Sequence, residues 1–308
     1  MLIHQMLMLR STRGLRSSTH SEEQGSSGEP SIIHHDTSKW AVTPKTFPFP
    51  LVIYFSNLKK IGVRSDVCNM IVIFIGLVIP IPNSCSLSLF FFLNLFYRAA
   101  SHRLNLVKVL SDGGFHVLSV DYRGFGDSTG KPTEEGLTAD AICVYEWTKA
   151  RSGTTPVCLW GHSLGTGVVT NAAKVLEEKG SPVDAIVLEC PFTNLWVASI
   201  NYPLLKIYRK LPGCLCTLMD ALRKDKIVFP NDENVKFLSS PLLILHGEDD
   251  LTVPLEFGKK LYEIAYNAYR NKERVKMVIF PPGFQHNLLC KHPTLLKTVR
   301  DFLSQQWG

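Results

Sequence analysis

A Gly-x-Ser-x-Gly pentapeptide at residues 161–165 constrains the fold of this chain more than any other stretch. An apolar run at residues 157–160 precedes it, and the apolar spacing of residues 168–180 predicts a helix after it. Strand, sharp turn and helix together are the context of a nucleophile elbow, which lifts a serine hydroxyl above a sheet. The flanking glycines let strand and helix approach closely. The sequence therefore predicts Ser163 as a nucleophile at a helix N-terminus, where developing negative charge is stabilised.

The rest of the C-terminal two thirds alternates strand and helix patterns. Apolar strand patterns lie at 115–120, 157–160, 184–189, 241–246 and 275–280, with helical patterns between and after them. Such alternation predicts βαβ units and an α/β fold whose mostly parallel, doubly wound sheet is covered on both faces. Residues 191–240 carry no strand pattern, and their short apolar helical pieces predict a helical cap inserted into the domain.

A serine hydroxyl needs a base to take its proton, and the base needs a carboxylate to orient it. Behind an elbow, the acid and then the histidine follow in chain order. Glu248, Asp249 and Asp250 follow one predicted strand, and His286 follows the last. Both places lie just past the carboxyl ends of strands, where α/β sheets hold their sites. Asp250 is the preferred acid because Asp-x-x-Val-Pro places it at the turn before a helix, and Asp249 is the second choice.

Two other histidines compete with His286 for the role of the base. His246 lies at a strand end, where a structural role is expected. His162 immediately precedes Ser163, so its ring is expected to flank the pocket rather than meet the serine oxygen. Neither position follows the last strand, and His286 is therefore the predicted base.

Composition excludes several other classes of function. The 308 residues carry a net charge of +6 without a block of Lys and Arg, so no nucleic-acid partner is predicted. None of the 8 cysteines forms a C-x-x-C pair, and no zinc-ligand spacing occurs. Cys158 and Cys190 are predicted to be buried free thiols. The predicted chemistry requires neither a metal nor an organic cofactor.

The first 97 residues are harder to interpret. Residues 1–46 are polar and serine-rich, which predicts a disordered tail. Residues 47–97 form an atypical apolar segment, and no charged residue occurs between 67 and 97. This is a candidate membrane segment, although Pro80 and Pro82 interrupt it. Three interpretations stay open: a membrane-associated hairpin, an anchor for a domain that begins near residue 98, or a start replaced through an alternative exon or non-coding sequence. The last is favoured.

Five stretches resemble the α/β-hydrolase superfamily, and most closely its lysophosphatidylserine and monoacylglycerol lipase branch. They are residues 121–128, 161–167, 191–194, 246–250 and 283–287, and the resemblance covers about residues 98–308. It implies Ser163 as the nucleophile, Asp250 as the acid, His286 as the base and the Leu164 N–H as an oxyanion donor. It also implies a lipid acyl-ester substrate and a membrane surface at the endoplasmic reticulum. No obligate protein partner is evident from the sequence.

Residues 1–97 do not resemble the family. Its members carry leading strands there, one of which ends in a His-Gly loop that supplies a second oxyanion donor. No His-Gly precedes residue 98 here, so the N-terminal strands are expected to be incomplete or replaced. Loss of one oxyanion donor typically costs about 100- to 1,000-fold in rate.

The leading hypothesis is a serine hydrolase that cleaves a lysophospholipid, such as lysophosphatidylserine, or a monoacylglycerol through an acyl-enzyme. A palmitoyl-protein thioesterase is an alternative because it uses the same triad. A catalytically impaired pseudo-hydrolase that acts as a lipid-binding or interaction module is the non-enzymatic alternative.

Overall fold

The computed structural model describes residues 101–125, 128–201 and 227–307, and before them four strands within residues 32–76. These described residues form one sheet of nine strands in the order β1-β2-β3-β5-β4-β6-β7-β8-β9. The strands are β1 (Ile32–His34), β2 (Lys39–Val42), β3 (Val52–Ser56), β4 (Ile71–Gly76), β5 (His116–Asp121), β6 (Val157–His162), β7 (Ala185–Glu189), β8 (Leu242–Gly247) and β9 (Val275–Phe280). Pairing is antiparallel from β1 through β3 to β5, and parallel from β5 to β9.

Helices connect the parallel strands. They are α1 (Ser101–Asp112), α2 (Glu134–Lys149), α3 (Gly165–Glu178), α4 (Leu195–Asn201), α5 (Asn231–Asn234), α6 (Leu255–Ala268) and α7 (Leu295–Trp307). Short 3-10 turns at Val235–Phe237, Lys272–Arg274 and Leu289–Lys291 join them. The predicted α/β fold with a mostly parallel, doubly wound sheet is confirmed.

The central strands β6, β7 and β8 are buried along their whole length. Their side chains alternate between two apolar clusters because successive residues of a strand point to opposite faces. Leu159, for example, packs in a cluster with residues of α2, α3 and α6, whereas Trp160 packs with residues of α1 and α7. Burial on both faces explains why these strands are continuous apolar runs in the sequence.

Strand β4 is the main difference from the sequence-based expectation. It lies within the uncharged segment that suggested a membrane hairpin or a replaced start, yet it pairs in parallel with β5 on one side and β6 on the other. A central parallel strand is apolar on both faces, so it lacks charge just as a membrane segment does. None of the described helices is both long and apolar enough to cross a bilayer.

Two of the other leading strands also differ from expectation: β1 and β2 lie within residues 1–46, for which a disordered tail was expected. β3 overlaps residues 47–55, whose apolar residues are compatible with a strand. With β4, they place four strands before α1, so this end of the sheet is not short of strands. The predicted cap at 191–240 is described only at its two ends, α4 and α5, and residues 202–226 lie outside the described part.

The register brings the carboxyl ends of the parallel strands level with one another. Gly76 at the end of β4 pairs with His162 at the end of β6, and His162 pairs with Glu189 at the end of β7. Gly247 at the end of β8 pairs with Phe280 at the end of β9. The three predicted site residues follow the ends of β6, β8 and β9, and therefore share one edge of the sheet.

Candidate active site

Ser163 occupies the turn between β6 and α3. Its φ of 54° lies in the left-handed region, which a non-glycine residue adopts only when the surrounding structure holds it there. A Cβ on Gly161 would lie 2.6 Å from the Gly165 carbonyl oxygen, so only glycine permits this close approach. The Ser163 N–H donates to the Glu189 carbonyl at 2.9 Å, and the Thr166 hydroxyl donates to the Ser163 carbonyl at 2.6 Å. The backbone of Ser163 is thus held on both sides.

Leu164 precedes the first residue of α3. Its N–H donates to no acceptor among the described residues. The first N–H groups of a helix have no partner inside the helix, and the helix dipole adds partial positive charge there. This N–H is therefore available to an oxyanion that forms beside Ser163.

Asp250 and His286 form a direct contact. The Asp250 carboxylate oxygen Oδ2 lies 2.7 Å from His286 Nδ1, and both side chains are buried. The other carboxylate oxygen, Oδ1, accepts the N–H groups of Thr252 and Val253, each at 2.8 Å. Burial raises the pKa of Asp250, but hydrogen bonds from His246 and His286 outweigh burial and hold the pKa well below its usual value. Asp250 is therefore a carboxylate at neutral pH, and it orients the imidazole through Nδ1.

The two neighbouring acids do not contact the His286 ring. Asp249 accepts the N–H groups of Gly283 at 2.7 Å and Gln285 at 2.9 Å, and these hydrogen bonds lower its pKa. It therefore braces the loop that carries the histidine. Glu248 is exposed. Of the three acids, Asp250 is the one that contacts His286.

Two buried side chains hold the backbone of His286. His162 Nε2 lies 2.9 Å from the His286 carbonyl oxygen, so this nitrogen carries the proton and donates it. The two rings lie 4.8 Å apart between centroids. The Cys190 thiol donates to the same carbonyl at 3.6 Å. Burial, and then the charges of His286 and His102, lower the pKa of His162 well below its usual value, so this ring is neutral. As expected from the sequence, His162 flanks the site.

Ser163 and His286 lie at the same edge of the sheet. His162 links them, because it immediately precedes Ser163 in the chain and contacts the main-chain carbonyl of His286. Ser163 Oγ and the His286 ring do not form a hydrogen bond in this structure. Such bonds are often long in ligand-free enzymes and tighten when a substrate binds. The arrangement contains the parts that acyl transfer requires: a hydroxyl on a strained turn, an oriented imidazole and a free N–H at a helix start.

Glu189 is a buried carboxyl that the sequence analysis missed. Its Oε2 accepts the indole N–H of Trp160 at 2.9 Å, and its main-chain carbonyl holds Ser163. Burial raises its pKa to about 7, against the opposing effects of the Trp160 hydrogen bond and the Arg103 charge. A single glutamate at the end of a strand gives no sequence signal for this role.

A buried amide network that the sequence analysis also missed ties the elbow to the chain after residue 226. Asn231 is fully buried, and its Nδ2 donates to the Thr166 hydroxyl at 3.1 Å and to the Phe192 carbonyl at 2.8 Å. Its Oδ1 accepts the Thr170 hydroxyl at 2.6 Å. Because the Thr166 hydroxyl also donates to the Ser163 carbonyl, Asn231 supports the turn that carries Ser163 indirectly, through Thr166.

Among the described residues, two sets of side chains have donor atoms close enough to hold a metal ion. They are His162, Cys190 and His286, and Cys190, His246 and Asp250, whose donor atoms lie within 4.8 Å of one another. Each set includes a member of the Asp250–His286 pair. Cys158 and Cys190 are buried free thiols, as predicted.

Comparison with known proteins agrees with this fold. A family model described as serine aminopeptidase, S33, matches residues 99–236. The human Protein ABHD12B is 91% identical over 212 residues, which are 69% of this chain and 59% of that protein. A Xenopus tropicalis protein named lysophosphatidylserine lipase ABHD12 is 48% identical over 209 residues, which are 67% of this chain and 54% of that protein. The chain thus spans little more than half the length of these relatives.

Solved structures with the same fold have distant sequences. An esterase from Pyrococcus furiosus aligns with a TM-score of 0.57 and 16% identity, over 94% of this chain and 97% of that chain. An alpha-beta hydrolase from Vibrio vulnificus aligns with a TM-score of 0.58 and 18% identity, over 87% of this chain and 80% of that chain. Sheet order, elbow and relatives agree, and the chain has the α/β-hydrolase fold.

Proposed function

We propose that this chain is a serine hydrolase that cleaves lipid acyl esters, with Ser163 as nucleophile, His286 as base and Asp250 as the orienting acid. The observation that carries the proposal is the 2.7 Å contact between Asp250 Oδ2 and His286 Nδ1 at the edge of the sheet where Ser163 lies. A carboxylate on Nδ1 fixes the proton there and leaves the Nε2 lone pair to accept a proton from a hydroxyl.

The proposed reaction has two halves. In the first, His286 Nε2 takes the Ser163 proton as Oγ attacks the acyl carbonyl, and the Leu164 N–H donates to the oxyanion. The C–O bond then breaks, and His286 gives its proton to the departing alcohol. In the second half, His286 takes a proton from water, the resulting hydroxide attacks the acyl-enzyme, and the fatty acid leaves as Ser163 regains its proton.

In α/β-hydrolases, the second oxyanion donor comes from a loop between a strand and the helix that follows it. The corresponding strand here is proposed to be β4. That strand ends at Gly76, which pairs with His162 one residue before Ser163. The sequence continues as Leu77-Val78-Ile79 and does not contain the His-Gly of the family. Residues 77–100 lie outside the described part, so the proposal assigns one donor, the Leu164 N–H. A variant with His-Gly installed after β4 is expected to react faster, by up to the roughly 100- to 1,000-fold that one donor contributes.

Similarity to proteins named lysophosphatidylserine lipase supports a lipid ester as the substrate class. Within that class, the proposal covers lysophospholipids, with lysophosphatidylserine first, and monoacylglycerols. A membrane surface at the endoplasmic reticulum is the proposed setting, because such substrates reside in membranes.

Turnover assays on the full chain test this proposal. Lysophosphatidylserine, a monoacylglycerol and a palmitoyl thioester are offered separately and in competition, with Ser163→Ala as the control. We expect release of fatty acid from a glycerol ester that Ser163→Ala abolishes. Preference for the thioester would instead establish a thioesterase. Lipid binding without turnover, unchanged in Ser163→Ala, would contradict the proposal and establish a pseudo-hydrolase.

A further inference from the structure

His246, near the end of β8, is fully buried beside the proposed acid. Its Nε2 lies 2.8 Å from the Val253 carbonyl oxygen and 3.4 Å from Asp250 Oδ2. Both neighbours are acceptors, so Nε2 carries a proton that faces the two oxygens at once. Asp250 Oδ2 is thus approached by two imidazoles, His286 on one side and His246 on the other.

The His246 ring is tightly confined on its opposite side. Its Nδ1 is buried and has no hydrogen-bond partner among the described residues. A Cβ on Gly258 of α6 would lie only 2.3 Å from this nitrogen, so the helix has a glycine where it meets the ring. Among the described residues, no polar group contacts Nδ1, so the polar interactions of the His246 ring are made through Nε2.

His246 acts on Asp250 through the turn as well as through the direct approach. The turn after Asp250 gives the N–H groups of Thr252 and Val253 to Oδ1. His246 holds the carbonyl of Val253, the same residue whose N–H binds the carboxylate. Displacement of the His246 ring would therefore remove a direct contact of Asp250 Oδ2. It would also loosen the turn whose N–H groups bind Asp250 Oδ1.

We propose that His246 is a positioning residue that holds the Asp250 carboxylate against His286 Nδ1. This inference rests on the proposed function, since it assigns His246 a role in the same reaction. His246 does not touch the nucleophile or the substrate. The sequence analysis expected a structural histidine here, whereas the geometry points to an effect on the acid of the triad.

Three variants separate positioning from packing. His246→Gln keeps an N–H donor near the position of Nε2, and His246→Leu has similar bulk without a donor. Gly258→Ala keeps the His246 side chain, but the new Cβ displaces its imidazole ring. Rates of reaction with a fluorophosphonate and kcat and KM on a soluble short-chain ester are measured on variants whose melting shows a folded protein. His246→Leu and Gly258→Ala should lower kcat by up to about 100-fold, as expected for a displacement of about 1 Å, with little change in KM.

We expect His246→Gln to preserve the reaction rate and the effects of the His246 and Gly258 substitutions to be non-additive. His246→Gln should retain most of the wild-type rate. In a His246→Ala background the space beside α6 is empty, so Gly258→Ala should cost nothing further. Equal losses in His246→Gln and His246→Leu, or additive losses in the double variant, would contradict the proposal.

A spectroscopic readout keeps this inference separate from the proposed function. The proton shared by Asp250 and His286 is expected to give a far-downfield proton NMR signal, assigned by its loss in both Asp250→Ala and His286→Ala. We expect this signal to move or broaden in His246→Leu and to persist in His246→Gln, whether or not the protein turns over esters. An unchanged signal in His246→Leu would overturn the inference. A signal that responds to His246 in a protein that never labels Ser163 would support the inference and contradict the proposed function.

Discussion

His162 Nε2 lies 2.9 Å from the main-chain carbonyl oxygen of His286, so the residue before the candidate nucleophile holds the backbone of the candidate base. The end of β6 and the loop after β9, which are 124 residues apart in the chain, are thereby fixed relative to each other. The contact is between a neutral donor and a carbonyl inside the protein, where an unpaired partner is costly.

Replacement of His162 by leucine should slow acylation without changing which serine reacts. The His286 carbonyl would keep only the weak thiol donor of Cys190, at 3.6 Å. We expect a loss of about 1 kcal/mol or more in the free energy of unfolding and a lower rate of reaction with a fluorophosphonate. Cys190→Ala, which removes the weaker of the two donors to this carbonyl, should slow fluorophosphonate labelling less. A larger effect from Cys190→Ala than from His162→Leu would contradict this account.

Gly161→Ala should be far more damaging than an alanine placed where there is room. The new Cβ would lie 2.6 Å from the backbone oxygen of Gly165, and backbone cannot move aside cheaply. We expect the elbow to shift and the acylation rate to fall by up to about 100-fold. Gly153→Ala is the matched control, because its Cβ would meet nothing within 4 Å although its φ is +59°. Rates are compared after melting curves establish that both variants fold.

Asn231→Leu should lower the stability of the protein. The leucine has similar bulk but leaves the Phe192 carbonyl without its amide donor. The Thr170 hydroxyl loses its 2.6 Å acceptor and keeps the longer hydrogen bonds to the Gly167 carbonyl and from Asn234, each at 3.2 Å. We expect a loss of about 1–3 kcal/mol in the free energy of unfolding, measured by urea denaturation. Asn267→Leu, at an exposed position of α6, is the control and should be nearly neutral. Equal effects of the two changes would argue against the buried network.

Glu189 should make stability fall as pH rises through the range below neutrality. Burial raises its pKa from 4.5 to about 7, so between these values the folded protein holds a proton that the unfolded chain has lost. Stability decreases with pH wherever the folded state binds more protons, and the contribution amounts to roughly 3 kcal/mol above pH 7.

Glu189→Gln removes this titration and keeps an acceptor for Trp160. The difference in unfolding free energy between wild type and Glu189→Gln, followed from pH 5 to pH 8 by urea denaturation, should therefore change steadily in favour of the variant. A difference that stays constant with pH would show that Glu189 is ionised throughout.

Local sequence pattern was sufficient to predict much of the fold and the candidate site. Ser163, Asp250 and His286 each follow a strand with a clear apolar pattern, and chain order then links them. Strand β4 could not be recognised, because lack of charge is common to central parallel strands and membrane segments. β1 and β2, at 3 and 4 residues, are too short for a periodic signal.

The supporting residues were missed for a different reason. Asn231 and Thr166 are 65 residues apart, and no local pattern announces such a hydrogen bond. The role of His246 depends on a glycine in the following helix and on a turn that only the fold creates. The residues of the proposed triad follow strand ends in the sequence, whereas the residues that hold them in place are brought together only by tertiary packing.

The rate of fluorophosphonate labelling shows whether Ser163, His286 and Asp250 act together as a catalytic triad. Labelling of the full chain is followed by intact mass and compared with Ser163→Ala, Asp250→Asn and Asp249→Asn. The account predicts labelling that Ser163→Ala abolishes and that Asp250→Asn slows by up to about 10,000-fold, the effect of the same change in a serine protease triad. Asp249→Asn alters the hydrogen bonds to the loop before His286 and not the contact with its ring. This variant should therefore be labelled much faster than Asp250→Asn. Labelling that survives in Ser163→Ala, or no labelling of the wild-type chain, would contradict the account.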